Sequence, residues 1–185
     1  MGCSTPANTP MTDRHSAPTI RTATVEDARA IAEIHVASWR WAYRGDMPEA
    51  FLKELDVDER EMRWRDKIQE AGTTVLVGTP DDVGPVGFSS SGPSRDDDAR
   101  DGVGELYAIY LLQEATGTGL GRALLESSSA VLRDAGYRRV TAWVLESNER
   151  ARTFYERTGW AWDGSRSEHR FDCANLPIVR YVADL

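Results

Sequence analysis

The sequence predicts one α/β domain, and three observations point to it. Residues 106–112 form an almost unbroken apolar and aromatic run, and residues 139–145 form a second one, as expected for strands covered on both faces. Between them, residues 120–131 place apolar side chains at helical spacing. A chain of 185 residues with 41% hydrophobic residues is long enough for one full core and short for two. We therefore expect a central sheet covered by helices, in one domain spanning residues 18–185.

The N-terminal segment and the composition indicate where the protein acts and which partners it is expected to bind. Residues 1–17 are polar and proline-rich, which predicts a disordered tail, and they lack the apolar run of a signal peptide. Only two cysteines occur, Cys3 and Cys173, so neither a disulfide framework nor a four-ligand zinc site is supported. The formal net charge of -8 disfavours nucleic acid and anionic membranes as partners and mildly favours cationic small molecules. We expect a cytoplasmic protein, as a monomer or homodimer.

The other segments alternate between helix and strand patterns. Thr24 and Asp27 form a capping-box pattern that starts a helix, and residues 38–55 after it concentrate aromatic side chains around Gly45 and Pro48. The segments that follow are a surface helix at 56–71, a hairpin of strands at 73–77 and 86–90 with a turn at 80–84, a charged loop at 93–102, a helix after Asn148, and strands at 160–163 and 177–182.

The turn at residues 116–121 combines three glycines with the start of a helix. The first amides of a helix have no internal partners and lie at the positive end of its dipole, so they form an anion site, and phosphate fits it. A P-loop is a poor match, because Arg122 and Ala123 follow Gly121 where that motif needs Lys and Ser or Thr. A dinucleotide-binding fingerprint also fits poorly.

Two blocks of the sequence resemble the GNAT acetyltransferases. That family's Gln/Arg-x-x-Gly-x-Gly/Ala pattern follows a central strand and binds the pyrophosphate of acetyl-CoA. Gly119 and Gly121 match it, and Thr116 stands in place of Gln or Arg. Residues 148–160 resemble the family's Asn-x-x-Ala-x-x-Phe-Tyr-x-x-x-Gly-Phe pattern, with Trp160 in place of the last Phe. The resemblance implies a mixed, mostly antiparallel sheet with helices on both faces and a splayed pair of central strands.

The same resemblance implies a function. It indicates an N-acetyltransferase that moves the acetyl group of acetyl-CoA to a primary amine of a small molecule in a direct ternary complex. Two alternatives remain open at this point: an enzyme that acetylates protein or peptide N-termini, and a non-catalytic domain that binds acyl-CoA.

Two residues are expected to carry the chemistry. Glu105 starts the central strand, where the family often has a carboxylate that takes the amine proton directly or through water, and burial would make it a stronger base. Tyr155 stands where the family has the tyrosine that protonates the departing sulfur of CoA. The alternatives are a glutamate at the solvent rim and a core tyrosine bonded to the backbone.

The resemblance also implies which residues bind the co-substrate and the acceptor. Residues 109–112 of the central strand are expected to pair their backbone with the pantetheine amides, and a bulge near Tyr110 is expected to part the two central strands. Asn148 is expected to contact the pantetheine arm or to cap its helix. Trp39 and Tyr43 are expected to bind the acceptor, or else fill the core. The residues expected to bind acetyl-CoA are Ile109, Tyr110, Leu111, Thr116, Gly117, Thr118, Gly119, Leu120, Gly121, Arg122 and Asn148.

No metal is expected. The loop at 93–102 contains three adjacent aspartates, but metal sites need ligands from several elements, so the loop is assigned no chemistry. His15, His35 and His169 are too scattered to suggest a metal triad. Cys173 is disfavoured as a nucleophile, because no His-Asn pattern near it argues for activation.

Overall fold

A computed structural model describes residues 18–80, 84–171 and 174–185 of the chain, and in this part seven strands form one sheet. The strand order is β1-β2-β3-β4-β5-β7-β6. The strands are β1 (Thr19–Thr22), β2 (Thr74–Thr79), β3 (Gly87–Pro93), β4 (Val103–Leu111), β5 (Arg139–Leu145), β6 (Ala161–Phe171) and β7 (Ala174–Asp184). Neighbouring strands are antiparallel except β4 and β5, which are parallel. This confirms the predicted mixed, mostly antiparallel sheet.

Helices cover both faces of the sheet. They are α1 (Ala28–Ala42), α2 (Glu49–Glu54), α3 (Val57–Gln69), α4 (Leu120–Asp134) and α5 (Glu149–Arg157). The alternation of side chains along β2 shows the two layers: Val75 and Val77 pack with α1 and α3, and Leu76 packs with α4. Because α1 extends to Ala42, the predicted pocket residue Trp39 lies on that helix rather than after it.

The capping pattern at Thr24 and Asp27 is present at the start of the first helical segment. The Thr24 amide donates to the Asp27 carboxylate at 2.8 Å, and Arg21 of β1 binds the same carboxylate at 2.7 Å. A short 3₁₀ turn precedes α1 here. This bond network fixes the entry of α1 against the edge of the sheet.

The two central strands separate soon after they begin to pair. β4 and β5 are in register only at Val103↔Arg139, Gly104↔Val140 and Glu105↔Thr141. Beyond Glu105, β4 stays paired with β3 and β5 stays paired with β7. The predicted splay is therefore present, and each strand turns one unpaired edge towards the other.

The bulge that accompanies this splay lies three residues before the predicted position near Tyr110. Ser90 pairs with Ala108 and Ser91 pairs with Leu106, so Tyr107 is the extra residue. The insertion directs both Tyr107 and Ala108 towards α3: Tyr107 contacts Lys67, and Ala108 packs in the core beneath α1 and α3. The bulge thus adjoins Glu105, at the point where the strands part.

Some predictions fall outside the described residues: the tail at 1–17 with Cys3 and His15, residues 81–83 of the hairpin turn, and Cys173. Within the described ranges, no helix is long and apolar enough to cross a membrane. The same part of the chain contains no group of three or more metal-ligating side chains.

Candidate active site

The parting of β4 and β5 opens a cleft of about 1810 Å³. Its walls come from α1, α3, α5, the two parted strands and the start of α4. The predicted site residues that line it are Trp39, Tyr43, Glu105, Ile109, Tyr110, Leu111, Thr116, Gly117, Gly119, Gly121, Arg122, Asn148 and Tyr155. Thr118 and Leu120 do not line it. The fold therefore gathers most of the predicted residues around one space.

The glycine turn presents backbone amides to this cleft. Gly117 and Gly119 have φ of 79° and 93°, in the left-handed region that other residues rarely adopt. The first helical bond of α4 joins the Ala123 amide to the Gly119 carbonyl at 3.0 Å. Within the described chain, the amides of Gly121 and Arg122 have no acceptor. The turn therefore leaves two donors at the positive end of a 15-residue helix, as an anion site requires.

The hydroxyl groups of Thr116 and Thr118 bond to carbonyls of the same segment and hold the turn in shape. Thr116 Oγ1 donates to the Gln113 carbonyl at 2.6 Å, and Thr118 Oγ1 donates to the Ala115 carbonyl at 2.8 Å. Leu120 is buried in the core beneath α4. Thr118 and Leu120 thus support the turn from within. Gly117, Gly119 and Gly121 form the surface that the turn presents to the cleft.

Asn148 has the capping role that the sequence offered as one of two. Its side-chain oxygen accepts from the Ala151 amide at 3.0 Å, which is the N-cap bond of α5, and the residue also lines the cleft. On β4, Ile109, Tyr110 and Leu111 turn their unpaired edge to the same cleft. The Leu111 carbonyl already accepts from Ser38 Oγ of α1 at 2.7 Å.

Glu105 is buried where the strands part, with 4% of its surface exposed, and so does not lie at the solvent rim. Its Oε1 accepts from Arg95 Nη2 at 2.6 Å, and its Oε2 accepts from the Arg95 amide at 2.8 Å. The Arg95 guanidinium also lies 3.9 Å from the centre of the Tyr107 ring. The bulge, the loop after β3 and the carboxylate are therefore joined by one arginine, through charge-assisted hydrogen bonds.

Tyr155 is buried on α5 between aromatic rings. It stacks on Tyr181 with ring centres 5.6 Å apart, and Trp160 packs against it. Burial raises the pKa of Tyr155 above its ordinary value, and the neighbouring Tyr110 phenol adds to the shift. No residue in the described ranges hydrogen-bonds to its hydroxyl, so the backbone-bonded alternative is not seen. The phenol keeps its proton at neutral pH, on the wall of the cleft.

Comparison with known proteins decides the family. The model of the acetyltransferase (GNAT) family matches residues 30–160, which include β4, the glycine turn and α5. The chain belongs to this family. The resemblance drawn from Gly119, Gly121 and residues 148–160 is thereby confirmed.

Individual relatives agree with the assignment. The chain is 38% identical over 131 residues to the uncharacterized N-acetyltransferase YuaI of Bacillus subtilis (strain 168), covering 70% of this chain and 73% of that protein. It is 30% identical over 139 residues to a mycothiol acetyltransferase of Rhodococcus jostii (strain RHA1), covering 74% of this chain and 43% of that protein. The crystal structure of the PaiA N-acetyltransferase of Thermoplasma acidophilum in complex with coenzyme A has the same fold, with a TM-score of 0.72 at 19% identity, covering 89% of this chain and 98% of that chain.

On the opposite wall of this GNAT domain, both predicted acceptor residues are buried and also line the cleft. Trp39 and Tyr43 are 9% and 8% exposed, and their rings meet edge to face with centres 5.3 Å apart. The Tyr43 hydroxyl lies 3.4 Å from that of Tyr110 on β4. Burial raises the pKa of Tyr43 well above its ordinary value. The two rings are therefore part of the core, with one side turned to the cleft.

The charged loop after β3, which was assigned no chemistry, forms another part of the wall. Asp96 accepts from the Trp143 ring N–H at 2.6 Å and from Arg180 at 3.0 Å. Arg180 also binds Asp98 and Asp163. Sequence reasoning missed these contacts, although one signal existed: Trp143 lies in an otherwise apolar strand, where its ring N–H needs an acceptor. The loop is anchored to β5 and β7 by this cluster of charges.

His35 of α1 is buried against the same wall and is neutral. Its Nδ1 accepts from the Trp64 ring N–H at 3.1 Å, so Nε2 carries the remaining proton. No partner for Nε2 occurs in the described part of the chain. Burial lowers the pKa of His35 to about 3, and the charges of Arg60 and Arg63 act in the same direction.

The buried imidazole predicts a pH dependence of stability. The pKa of about 3 in the folded protein is below the value near 6.5 of an unfolded histidine, so the unfolded chain binds more protons between these values. The free energy of unfolding therefore falls as the pH decreases below about 6.5, by about 2 kcal/mol from His35 alone at pH 5. Chemical denaturation at several pH values gives the free energy of unfolding at each pH. Between pH 5 and 6.5, this free energy will change less steeply with pH for His35→Gln than for the parent protein. Equal slopes would refute the neutral buried state.

Proposed function

We propose that the protein transfers the acetyl group of acetyl-CoA to a primary amine of a small molecule in a ternary complex. One observation carries the proposal: the gap between β4 and β5 opens beside the free amides at the start of α4. A molecule with both a phosphate and an amide-bearing arm fits that pair of features. Acetyl-CoA is such a molecule.

The residues of the cleft fit each part of that co-substrate. The amides of Gly121 and Arg122, with the Arg122 side chain, would hold the pyrophosphate. The open edges of β4 and β5 would accept the amides of the pantetheine arm as an added strand, with Asn148 beside it. When bound, acetyl-CoA supplies an acetyl group activated as a thioester, and the cleft brings the amine to it.

Glu105 is proposed to receive the proton of the amine. An alkylammonium has no lone pair with which to attack, so the amine must lose a proton near neutral pH. A buried carboxylate at the bottom of the cleft supplies an acceptor, directly or through water, and Arg95 holds it in place. The carboxylate, held by Arg95, also serves to orient the amine.

Tyr155 is proposed to supply a proton to the departing sulfur. Its hydroxyl is protonated at neutral pH, lines the cleft and is not used by another described residue. Because burial makes the phenol a weaker acid, its contribution begins as a hydrogen bond to the sulfur and becomes proton transfer as negative charge develops there.

The small-molecule assignment is supported by the shape of the acceptor wall. Buried aromatic rings from α1 and the anchored loop after β3 line the same cleft as Glu105, and aromatic side chains with a few polar groups are typical of small-ligand pockets. The relative named as a mycothiol acetyltransferase also points to a small acceptor. An assay of acetyl-CoA-dependent CoA release tests this, with polyamines, amino acids, aminoglycosides and short peptides as separate classes. Turnover of peptides alone would overturn the assignment, and no turnover of any class would favour a binding domain.

CoA binding is expected to depend on the glycine turn. Gly119→Val places a β-branched side chain at a φ of 93°, where it distorts the turn and screens the amides. Gly136→Val is the matched control, since Gly136 has the same φ at the other end of α4, away from the cleft. In thermal unfolding, CoA will raise the melting temperature of the parent and of Gly136→Val, and will not raise that of Gly119→Val. Protection of a folded Gly119→Val protein would contradict the assigned phosphate site.

The role of Tyr155 is tested by removing one oxygen atom. Tyr155→Phe keeps the ring and its stack on Tyr181, so the fold and CoA affinity will persist while kcat falls by about 10²- to 10⁴-fold. The fall will be the same for every acceptor, because each releases the same sulfur. Tyr181→Phe is the control, because it removes a hydroxyl from the other ring of the same stack. The Tyr181 hydroxyl donates to Glu156 and does not line the cleft. Normal turnover by Tyr155→Phe would refute the assigned acid.

A further inference from the structure

Packing does not hold the arginine that binds Glu105. The Arg95 side chain is 57% exposed, whereas that of Glu105 is 5% exposed. A long side chain in solvent samples many rotamers, and holding it in one of them costs conformational entropy. The ion pair at 2.6 Å therefore fixes Glu105 only as well as another contact fixes Arg95.

The ring of Tyr107 provides that contact. The Arg95 guanidinium binds the Glu105 carboxylate, and its central carbon lies 3.9 Å from the centre of the Tyr107 ring. A guanidinium group over an aromatic ring is attracted by the negative face of the ring. The ring is itself anchored, because the Tyr107 hydroxyl donates to the Pro93 carbonyl at 2.6 Å.

Strand geometry places the carboxylate and the ring on the same side. Glu105 and Tyr107 are two residues apart on β4, so their side chains leave the same face of the sheet, about 7 Å apart along the strand. Gly104 and Leu106 face α4 instead: Leu106 packs with Leu132, and a Cβ on Gly104 would approach Leu132 to 2.9 Å. The carboxylate, the ring and the guanidinium all belong to residues that line the cleft. The guanidinium is thus bound between two side chains of one strand.

The neighbouring strand leaves space for the ring. Gly92 of β3 pairs with Glu105, and a Cβ at this position would lie 2.7 Å from the Tyr107 hydroxyl. It would also lie 2.6 Å from the Gly72 carbonyl, which is backbone and cannot easily move aside. A side chain at position 92 would displace the ring from its place against the guanidinium, so the glycine is part of the same arrangement.

A second cation approaches the same ring but has a carboxylate of its own. Lys67 of α3 lies 5.0 Å from the ring centre and pairs with Glu70. Arg95 is closer, at 3.9 Å, and of the two cations it is the one bound to Glu105. The link from the ring to Glu105 therefore runs through Arg95.

We infer that Tyr107 is a positioning residue for Glu105 and acts on it through Arg95. The inference rests on the proposed function, in which Glu105 receives the proton of the amine. With the ring present, the guanidinium stays at the carboxylate and both carboxylate oxygens keep their directions. Without the ring, Arg95 would spend part of its time in solvent, and Glu105 would be in its reactive orientation less often. The loss would fall on the chemical step and not on the binding of either substrate.

A double-mutant cycle in turnover tests the inference. The acceptor is the polyamine, amino acid, aminoglycoside or peptide that gives the highest kcat/KM in the CoA-release assay. The proteins are the parent, Tyr107→Leu, Glu105→Gln and the double variant. Tyr107→Leu is expected to lower kcat about 10-fold and to leave KM for acetyl-CoA and for the acceptor unchanged. In the Glu105→Gln background it will cause no further fall, because the carboxylate that the ring positions is absent.

Two variants separate the ring from the fold. Tyr107→Phe keeps the ring and loses the bond to Pro93, so its kcat will lie closer to that of the parent than the kcat of Tyr107→Leu does. Tyr137→Leu makes the same change in a partly buried tyrosine that packs against the core and does not line the cleft, so its kcat will equal that of the parent.

The kinetic results can overturn the inference in two ways. Equal falls in kcat from Tyr107→Leu in both backgrounds would show that the ring acts independently of Glu105. An unchanged kcat would also contradict the inference, and a higher KM for the acceptor beside it would assign Tyr107 to acceptor binding.

Stability supplies a readout that does not depend on turnover. The free energy of unfolding is measured for Arg95→Gln, Tyr107→Leu and their double variant. The double variant will lose less than the sum of the single losses, because each single change already breaks the contact between guanidinium and ring. Additive losses would overturn the inference. Coupled losses in a protein that acetylates no amine would leave the contact in place and refute the proposed acetyl transfer. Coupled losses with parent-like turnover by Glu105→Gln would refute the proposed role of Glu105 alone.

Discussion

The separation of β4 from β5 is the constraint on which the site depends. Both strands keep a partner on their outer edges, so the sheet survives the loss of pairing between them after Glu105. Unpaired backbone groups that are buried without water cost free energy, so the gap must be covered by polar ligands, solvent or side chains. Ser38 already supplies one such contact to the Leu111 carbonyl. An added strand from an extended ligand would satisfy the rest, so the defect in the sheet is suited to bind such a ligand.

Ion pairs hold the walls of this gap in place. Arg95 joins the start of β4 to the loop after β3, and Arg180 joins the same loop to β7. Fully exposed ion pairs add little to stability. The carboxylates of Glu105 and Asp96 are at least partly buried, and each accepts from more than one donor. Removing one arginine side chain would leave a buried or partly buried carboxylate without its cationic partner. We interpret the pairs as setting the position of Glu105 and Asp96, rather than as a source of net stability.

The sequence predicted the parts of the fold whose signals are local. The apolar runs of β4 and β5 and the glycines at 117 and 119 are features of single segments, and each was found where expected. The bulge was misplaced because Tyr107 and Tyr110 are both strand-forming aromatics, and only the pairing partner on β3 distinguishes them. β6 was predicted to be short, since its exposed residues show no alternation. The partner of Glu105 lies ten residues earlier in a loop, and no periodic pattern marks such a contact.

The position of Thr116 shows how this site depends on its backbone. Where the family pattern has a long side chain that can reach the phosphate, this chain has a short one whose hydroxyl is bound to the Gln113 carbonyl. The side chain therefore fixes the turn, and under the proposed function the amides of Gly121 and Arg122 would bind the anion instead. Amides held by a helix lose little entropy on binding, whereas a flexible arginine must be ordered. A rigid turn can thus replace a charged side chain, provided that the glycines keep its conformation.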